Sequence, residues 1–409
     1  MSNLEELIEK LCPDGVEYKT IRDICKKIAS GGTPTASKSE YYNGYIPWLR
    51  TQEVDWKDIL DTEIKITELG YNNSSTKWIP KNCVIVAMYG ATAAKVAINK
   101  IPLTTNQACC NLEIDERIAE YKYVYYWLCK EYINLKSLGQ GSQHNINANI
   151  IKNYKLPVPP LEVQREIVRI LDNFTFLTTE LAAELAARQK QYEYYKEYLF
   201  ENHIFDVEWK RLDELFPFIR NGFVGTIKSF FTNETDGIRY LEGTNIHDGV
   251  ISDNEVLYVT KEFHKKHIKN QLKSDDILMV QSGHIGECAV VGKKYEGSNC
   301  HALIIMSNGG KCLSKYYVYY FHTIKGFKSL TPAITGGTIK HVLAGKVGKI
   351  KVPVPSLEQQ QRIVDILDRF DTLCNDISSG LPAEIEARQK QYEYYRDKLL
   401  TFKELKKEA

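Results

Sequence analysis

With 409 residues, 43% of them hydrophobic and 26% charged, the chain suits two globular domains with connecting elements and is not expected to be disordered. The net charge of +1 argues against a uniformly basic nucleic-acid binder, but it is unevenly divided, with +4 in residues 15–156 and +6 in residues 207–352. No stretch approaches the roughly 18 apolar residues of a membrane span, and the acidic start lacks a signal-peptide core, so we expect a cytoplasmic protein.

A first globular domain is predicted over residues 1–156. Short β-branched runs, such as residues 84–88, alternate there with loops rich in glycine, asparagine and threonine. This pattern predicts an α+β fold with a twisted, mainly antiparallel sheet. The run at 84–88 continues directly into a loop at 89–92, and loops on a rigid scaffold often carry recognition residues.

A long helix is predicted in the next region, residues 157–205. After Pro157-Val158-Pro159, apolar residues recur in steps of three and four from Ile167 to Leu199. Over about 40 residues such a helix is roughly 60 Å long. A helix of that length needs a partner helix.

The second half repeats this order, with a globular domain over residues 206–352 and a helical region over residues 353–409. The run at 277–280 again continues into a glycine loop, at 281–284. Apolar residues again recur in steps of three and four, so we expect the two long helices to pair as an antiparallel coiled coil. A break or kink is expected in the second helix at Pro382.

The two halves are copies of each other. Residues 187–195 recur without change as residues 387–395, and the Pro-Val-Pro segments align at the same spacing. The globular blocks align only loosely, through Gly90 with Gly283 and Asn106 with Asn299, among others. The helical parts therefore look as if both met the same partner, whereas each globular part looks as if it met a different one.

These features resemble the specificity subunits of type I restriction-modification systems, over nearly the whole chain. The segments that carry the resemblance are Ser-Gly-Gly-Thr-Pro-Thr at 30–35, residues 41–48, Met-Tyr-Gly-Ala-Thr at 88–92, and both Pro-Val-Pro helices ending in Arg-Gln-Lys-Gln-Tyr-Glu-Tyr-Tyr. The second domain departs from this pattern, with Asn221-Gly222-Phe223-Val224-Gly225 in place of Gly-Gly-Thr-Pro. Ala94 also stands where such subunits often have a glycine.

The resemblance implies two target recognition domains, each of which reads one half of a split, asymmetric sequence in double-stranded DNA. It implies that the helices serve as a spacer and as a docking surface for two methyltransferase subunits. Translocation and cleavage would belong to separate restriction subunits.

No catalytic motif, cofactor or metal is predicted. None of the Gly-Lys pairs completes a phosphate-binding loop, and the Asn/Asp-Pro-Pro-aromatic motif of adenine methyltransferases is absent. His284, Cys288, Cys300 and His301 are the nearest approach to a zinc set, but adjacent Cys300 and His301 would point to opposite faces of a strand. We therefore expect a non-enzymatic subunit, with a stand-alone DNA-modifying enzyme and a protein-only coiled-coil scaffold as alternatives.

Candidate DNA-binding side chains lie in loops of both domains, because arginine can read guanine, and asparagine or glutamine can read adenine. In the first domain they are Arg50, Gln52, Tyr89, Thr92, Lys95, Asn106, Gln107, Gln143, His144 and Asn145. In the second domain they are Gln281, His284, Asn299, His301, Lys340 and His341. Lys95, Lys265, Lys266 and Lys269 are candidates for phosphate contacts. The alternative is that loop amides cap turns and that the lysines are simply solvated.

The helical repeat is rich in tyrosine. Tyr192, Tyr195, Tyr392 and Tyr395 are predicted to lie at a subunit interface or in the helix core. Stacking of bases on these residues, or on Tyr194 and Tyr394, is the alternative.

Overall fold

The computed structural model describes residues 2–139, 145–201, 207–337, 340–376 and 378–405. The chain forms two compact units, one of Met1–Leu181 with Ile385–Ala409 and the other of Ala182–Glu384. The divisions pass through the helical regions. Each unit therefore combines one globular block with a part of each helical region.

The first unit is α+β, as predicted. Its strands are β1 (Glu17–Thr20), β2 (Cys25–Ser30), β3 (Tyr42–Leu49), β4 (Asp58–Ile59), β5 (Lys65–Ile66), β6 (Trp78–Ile79), β7 (Val84–Ala87), β8 (Val96–Asn99), β9 (Leu103–Thr105), β10 (Cys109–Ile114) and β11 (Lys155–Val158). Its helices are α1 (Ser2–Leu11), α2 (Glu68–Asn72), α3 (Tyr121–Lys130), α4 (Tyr132–Ser137) and α5 (Ala148–Asn153), followed by α6 (Leu161–Leu199), which continues into the second unit.

Two sheets form the first globular block, in the orders β2-β10-β7-β8-β4 and β5-β3-β9-β6. Most neighbouring strands are antiparallel, with parallel pairing of β3 with β9 and of β4 with β8. Side chains of β7 alternate between two cores. Val84 and Val86 pack with Tyr123 of α3 and Leu171 of α6, whereas Ile85 and its neighbour Ala87 belong to a second cluster on the opposite face.

The second unit repeats this plan. Its strands are β12 (Glu208–Arg211), β13 (Phe218–Asn221), β14 (Phe231–Thr232), β15 (Gly237–Leu241), β16 (Ile246–His247), β17 (Val250–Ile251), β18 (Leu257–Thr260), β19 (Ile277–Val280), β20 (Cys288–Val290), β21 (Asn299–Cys300), β22 (Leu303–Ser307), β23 (Ile334–Thr335), β24 (His341–Val342) and β25 (Lys351–Val354). Its helices are α7 (Leu212–Leu215), α8 (Lys261–Lys266), α9 (Ser314–Phe321), α10 (Ile324–Ser329), α11 (Ala344–Val347) and α12 (Leu357–Asn375), followed by α13 (Leu381–Leu399), which continues into the first unit.

The main sheets of the second unit have the orders β13-β22-β19-β20 and β14-β18-β15-β21. Pairing is again mostly antiparallel, with β15 parallel to β21. Ile277 and Met279 of β19 face the core that includes Tyr317 of α9, and Leu278 and Val280 face the opposite core.

The junction between each globular block and its helix is built the same way in both units. Strand β1 pairs with β11, and β12 pairs with β25, in the same register. The hydroxyl of Tyr123 donates to the carbonyl of Pro157 at 3.1 Å, and that of Tyr317 donates to the carbonyl of Pro353 at the same distance. The duplication seen in the sequence is therefore a duplication of contacts.

Helix α6 runs without interruption for 39 residues, close to the predicted length. The second helical region is interrupted, as expected, because α12 ends at Asn375 and α13 begins at Leu381, next to Pro382. In the turn between them, the carboxylate of Asp376 accepts hydrogen bonds from the backbone N–H of Ser378 at 2.7 Å and from the hydroxyl of Ser379 at 2.6 Å.

Aromatic side chains join the helices within each unit. In the first unit Phe174 of α6 stacks on Tyr395 of α13, with ring centroids 5.4 Å apart. In the second unit Tyr195 of α6 stacks on Phe370 of α12 at 5.6 Å, while Arg188 interacts electrostatically with Cys374. Residue numbers rise along α6 as they fall along α12, so these helices are antiparallel, as predicted. Among the described residues, no helix combines the length and apolar character needed to cross a bilayer.

Candidate nucleic-acid interface

Parallel pairing of β3 with β9 sets the base of a candidate site in the first unit. Leu49 lies opposite Thr105, and the backbone N–H of Asn106 donates to the carbonyl of Leu49 at 2.9 Å. Because both strands end here, Arg50 and Asn106 leave the sheet side by side.

Two further loops, the one after β7 and the one that contains Asn145, meet at this end of the sheet. The backbone N–H of Met88 donates to Ala108 at 2.8 Å, which joins the loop after β7 to the loop after β9. The side-chain oxygen of Asn145 accepts from the backbone N–H of Gly90 at 3.0 Å. The hydroxyl of Thr92 donates to the carbonyl of Thr51 at 2.8 Å.

We call this surface the first loop edge. It consists of Arg50, Gln52, Tyr89, Thr92, Lys95, Asn106, Gln107 and Asn145. The structure thus brings eight of the ten predicted residues of the first domain to one end of the sheets. The other two, Gln143 and His144, lie outside the described residues.

The two cations of the first loop edge are already engaged by neighbouring groups. The guanidinium of Arg50 donates to Glu63 at 2.9 Å, and the carboxamide oxygen of Gln52 accepts from it at 2.9 Å. The ammonium of Lys95 pairs with Asp55 at 2.6 Å. Exposed ion pairs of this kind exchange readily, but they dilute the positive charge that a phosphate would meet.

The exposed side chains are therefore the more accessible candidates for base contacts on this edge. Gln52, Tyr89 and Gln107 are exposed, and Gln107 contacts the hydroxyl of Thr33. A carboxamide can offer a donor and an acceptor to one adenine edge. The backbone of Gly90 has a φ of +82°, which lets the loop turn sharply between Tyr89 and Thr92.

The second unit presents an equivalent edge. Leu241 lies opposite Cys300 in the parallel pair β15–β21, and the backbone N–H of His301 donates to the carbonyl of Leu241 at 2.8 Å. His301 thus occupies the position of Asn106 in the first unit. By the same register, Glu242 occupies the position of Arg50.

The sequence alignment of Asn106 with Asn299 was wrong by two residues, because the register of the parallel strands sets the equivalence and the loops differ in length. Asn299 is only 1% exposed. Its side-chain oxygen lies 2.6 Å from Nδ1 of His264, and its amide donates to the carbonyl of His267. Asn299 therefore holds a helix in place and does not face the loop edge.

The remaining predicted residues of the second domain converge. The backbone N–H of Val342 donates to the carbonyl of Gln281 at 2.9 Å, and Ser282 forms a β-bridge with His341. Gly283 has a φ of +81°, as Gly90 does in the first unit. The second loop edge consists of Glu242, Gln281, His284, His301, Lys340 and His341, of which His284, Lys340 and His341 are exposed.

The hairpin loops carry opposite charges at the same position. In the first unit the backbone N–H of Ala87 donates to the carbonyl of Lys95, and in the second unit that of Val280 donates to Glu287. Glu287 pairs with Nε2 of His322 at 3.4 Å and accepts from the backbone of Asp248.

This ion pair shifts both titrations. The imidazole of His322, 3.4 Å away, lowers the pKa of Glu287. Burial lowers the pKa of His322, but Cys288 and Glu287 outweigh it, so the pKa lies above its ordinary value. The pair therefore holds the second hairpin loop by charge.

The four residues considered as a zinc site, His284, Cys288, Cys300 and His301, do not form one. Cys288 and Cys300 are both fully buried, whereas His284 is exposed. Within the part of the chain that the structure describes, no three His, Cys, Asp or Glu side chains converge as metal ligands.

The four tyrosines predicted at a subunit interface or in the helix core pack against aromatic rings of the same chain. Tyr192 and Tyr195 stack on Phe370, Tyr392 lies against Tyr126, and Tyr395 stacks on Phe174. The exposed tyrosines of the two copies are instead Tyr194 and Tyr394, at 62% and 61%. Helical spacing could have separated them, because positions 192 and 195 share one face and position 194 lies on another.

The chain matches the model of the type I restriction modification DNA specificity domain twice, over residues 13–188 and 205–387. It is 36% identical to the EcoR124I/EcoR124II type I restriction enzyme specificity subunit of Escherichia coli, over 70% of this chain and 72% of that protein. It is 28% identical to the EcoprrI specificity subunit of Escherichia coli, over 92% and 93%.

Solved structures share the fold. A chain from work on complex assembly and conformational transition of the type I R-M system superposes with a TM-score of 0.65 at 19% identity, over 95% of this chain and 98% of that chain. The HsdS subunit from Thermoanaerobacter tengcongensis gives 0.57 at 18% identity, over 95% and 97%. The resemblance noted in the sequence is confirmed, and the chain belongs to the family of type I restriction modification DNA specificity subunits.

Proposed function

We propose that this chain reads a split, asymmetric target in double-stranded DNA and brings methyltransferase and restriction subunits to it, without catalysing either reaction. One observation carries the proposal. The two loop edges are built from the same strand ends and the same hydrogen bonds, yet they present different side chains. A duplicated scaffold with different contact residues suits two half-sites of different sequence.

The two edges differ in the side chains that predominate, although both include a glutamine. The first offers the exposed carboxamides of Gln52 and Gln107, which suit adenine, whereas the carboxamide oxygen of Asn106 already accepts from the backbone N–H of Ala108 at 3.2 Å. The second offers the imidazoles of His284, His301 and His341. Each imidazole nitrogen makes one hydrogen bond, so this edge reads its half-site through single contacts at several bases.

The helices support the recruitment of two copies of one partner. The two identical segments expose the same residue types in both copies, namely Gln189, Lys190, Glu193 and Tyr194 with Gln389, Lys390, Glu393 and Tyr394. Equal surfaces bind equal subunits, and the methyltransferase is the subunit expected in two copies.

Selection from a random duplex library tests the proposal. The chain would be incubated with the methyltransferase subunits of its own system, and the bound DNA sequenced. We expect two short conserved blocks separated by a gap of fixed length and free sequence. A single continuous motif, or no enrichment, would contradict the proposal.

A methylation assay separates this function from that of a stand-alone enzyme. The purified chain alone, with labelled S-adenosylmethionine and the selected duplex, is expected to transfer no methyl group. Addition of the methyltransferase subunits should restore transfer. Methylation by the chain alone would make it an enzyme.

A further inference from the structure

A cluster of lysines lies on α8 and the turn that follows it. Lys261, Lys265, Lys266 and Lys269 are exposed, and none forms an ion pair with a described carboxylate. Glu262 is the one acidic residue between positions 261 and 270. We call these four lysines the α8 patch.

At the equivalent position, residues 68–76 of the first unit form no counterpart to the α8 patch. Thr67 and Thr260 are equivalent N-caps, since the hydroxyl of each accepts from the backbone N–H three residues later. The helix that follows Thr67 is α2, and residues 68–76 contain Glu68 and neither lysine nor arginine. The cluster is thus specific to the second domain.

Contacts of two histidines connect the α8 patch to the second loop edge. His264 is bonded to Asn299, which immediately precedes Cys300 at the end of β21. The ring of His267 lies 4.9 Å from that of Phe223, and Phe223 lies 6.4 Å from the ring of His301. Phe223 therefore lies between the turn of the patch and a residue of the edge.

Packing also fixes the helix that carries the patch. Phe263 is buried beneath α8, with its ring 4.5 Å from His267 and 5.0 Å from Phe223. Since the helix is fixed to the domain, the backbone positions from which the four lysines project keep their place relative to the edge.

We infer that the α8 patch binds the phosphate backbone beside the half-site that the second loop edge reads, and that the first domain lacks this contact. The inference rests on the proposed function and deepens it. Unpaired lysines favour a polyanion, because each phosphate they neutralise releases condensed counterions. The second domain would thus contribute more than the first domain to the sequence-independent attraction between the chain and DNA.

The salt dependence of DNA binding tests this inference. The probe is a labelled random-sequence duplex of about 30 base pairs, titrated with the chain and its methyltransferase partner between about 50 and 200 mM salt. Lys265→Gln/Lys266→Gln removes two patch charges. We expect the log–log slope to become shallower by about 2, at roughly 0.9 per phosphate contact, with binding at about 50 mM salt weakened about tenfold or more.

Lys311→Gln/Lys349→Gln is the matched control, because it removes two exposed lysines of the same unit. Strand β22 begins at the loop edge, where Leu303 pairs with Val280, and Lys311 follows its far end. Lys349 lies near the β12–β25 ladder, since the backbone N–H of Asp213 donates to the carbonyl of Gly348. The control should keep the wild-type slope.

The outcomes distinguish the inference from the proposed function. If the wild-type complex shows no salt-dependent binding, both fail. If it binds and the patch variant has the wild-type slope, the inference alone fails. Anionic phospholipid vesicles are the second probe, and a patch variant that loses vesicle binding while keeping the wild-type DNA slope also overturns it. Melting temperatures check that both variants fold.

Discussion

The exposed ring of His341 lies at the second loop edge, next to the hairpin loop through the bridge to Ser282. We expect His341→Ala to weaken binding of the selected target by about two- to tenfold, because a single hydrogen bond contributes about 0.5–1.5 kcal/mol net. Preference should be lost in one half-site alone. Selection from the random library measures it.

Gln107→Ala is the matched variant on the first loop edge, where Gln107 is exposed as His341 is on the second. It should reduce the sequence preference in the half-site that the first loop edge reads. The sequence preference in the half-site affected by His341→Ala should stay unchanged. Relaxation of both half-sites by either single variant would contradict the assignment of one edge to each half.

The Glu287–His322 pair predicts a pH-dependent stability. The folded-state pKa of His322 lies above its ordinary value of about 6.5, so its contribution to the free energy of unfolding is complete below that pH and is lost as pH rises through the folded value. Glu287, whose pKa is lowered, stays ionised throughout this range.

We therefore expect wild type to exceed His322→Asn in stability most at about pH 6. The difference should shrink by roughly 1–2 kcal/mol by about pH 8.5. Urea unfolding at each pH gives the free energy of unfolding of both proteins. Titratable groups that the two proteins share contribute equally and cancel in the difference. A difference that stays constant or grows with pH would show that His322 is neutral in the folded protein.

Residue types alone could identify the loops of the site but not the state of each side chain. Arg50 was predicted as a base contact and Lys95 as a phosphate contact, and in the structure both are paired with carboxylates, Lys95 with one 40 residues away. Asn299 was predicted to face DNA and is buried. Both outcomes depend on which distant segments meet, and local spacing carries no information about that.

At the scale of elements, Tyr194 and Tyr394 project from the two identical helix segments. We expect Tyr194→Ala/Tyr394→Ala to reduce co-purification of the methyltransferase with little change in melting temperature, since both rings are mostly exposed. Quantitative pull-down with the tagged methyltransferase checks this.

Tyr192→Ala/Tyr392→Ala is the control, because those rings pack against Phe370 and Tyr126. It should lower the melting temperature instead. If the two double variants behave alike, the exposed face of the helices is not the docking surface.

Elements with a long period could be predicted closely, and short ones could not. The spacing of apolar residues predicted nearly the right length for α6, and Pro382 correctly indicated the interruption before α13. By contrast, β9 and β21 have three and two residues. Strand β9 pairs in parallel with β3, and β21 pairs in parallel with β15. Each pair joins segments far apart in the chain and decides which residues share a loop edge.

At the scale of the whole molecule, the end of the chain completes the first unit. The hydroxyl of Tyr18 donates to the carbonyl of Phe402 at 3.0 Å, and Val16 forms a parallel bridge with Glu404. Leu399 and Leu400 belong to the core that surrounds Tyr123. The chain thus passes between the units twice, at Leu181 and at Glu384, and both passages lie in helices.

These two passages predict that the helices set the gap between half-sites. Four residues inserted after Leu181 and four after Glu384 would lengthen each helix by about 6 Å, close to one turn, so that the packed faces keep their direction. At about 3.4 Å per base pair, the preferred gap should grow by one or two base pairs while both half-site sequences stay the same. Two-residue insertions at the same places are the control, because they rotate the packed faces by about half a turn and should abolish binding. Selection from the random library measures the gap, and an unchanged gap in the four-residue variant would show that the helices do not determine the spacing.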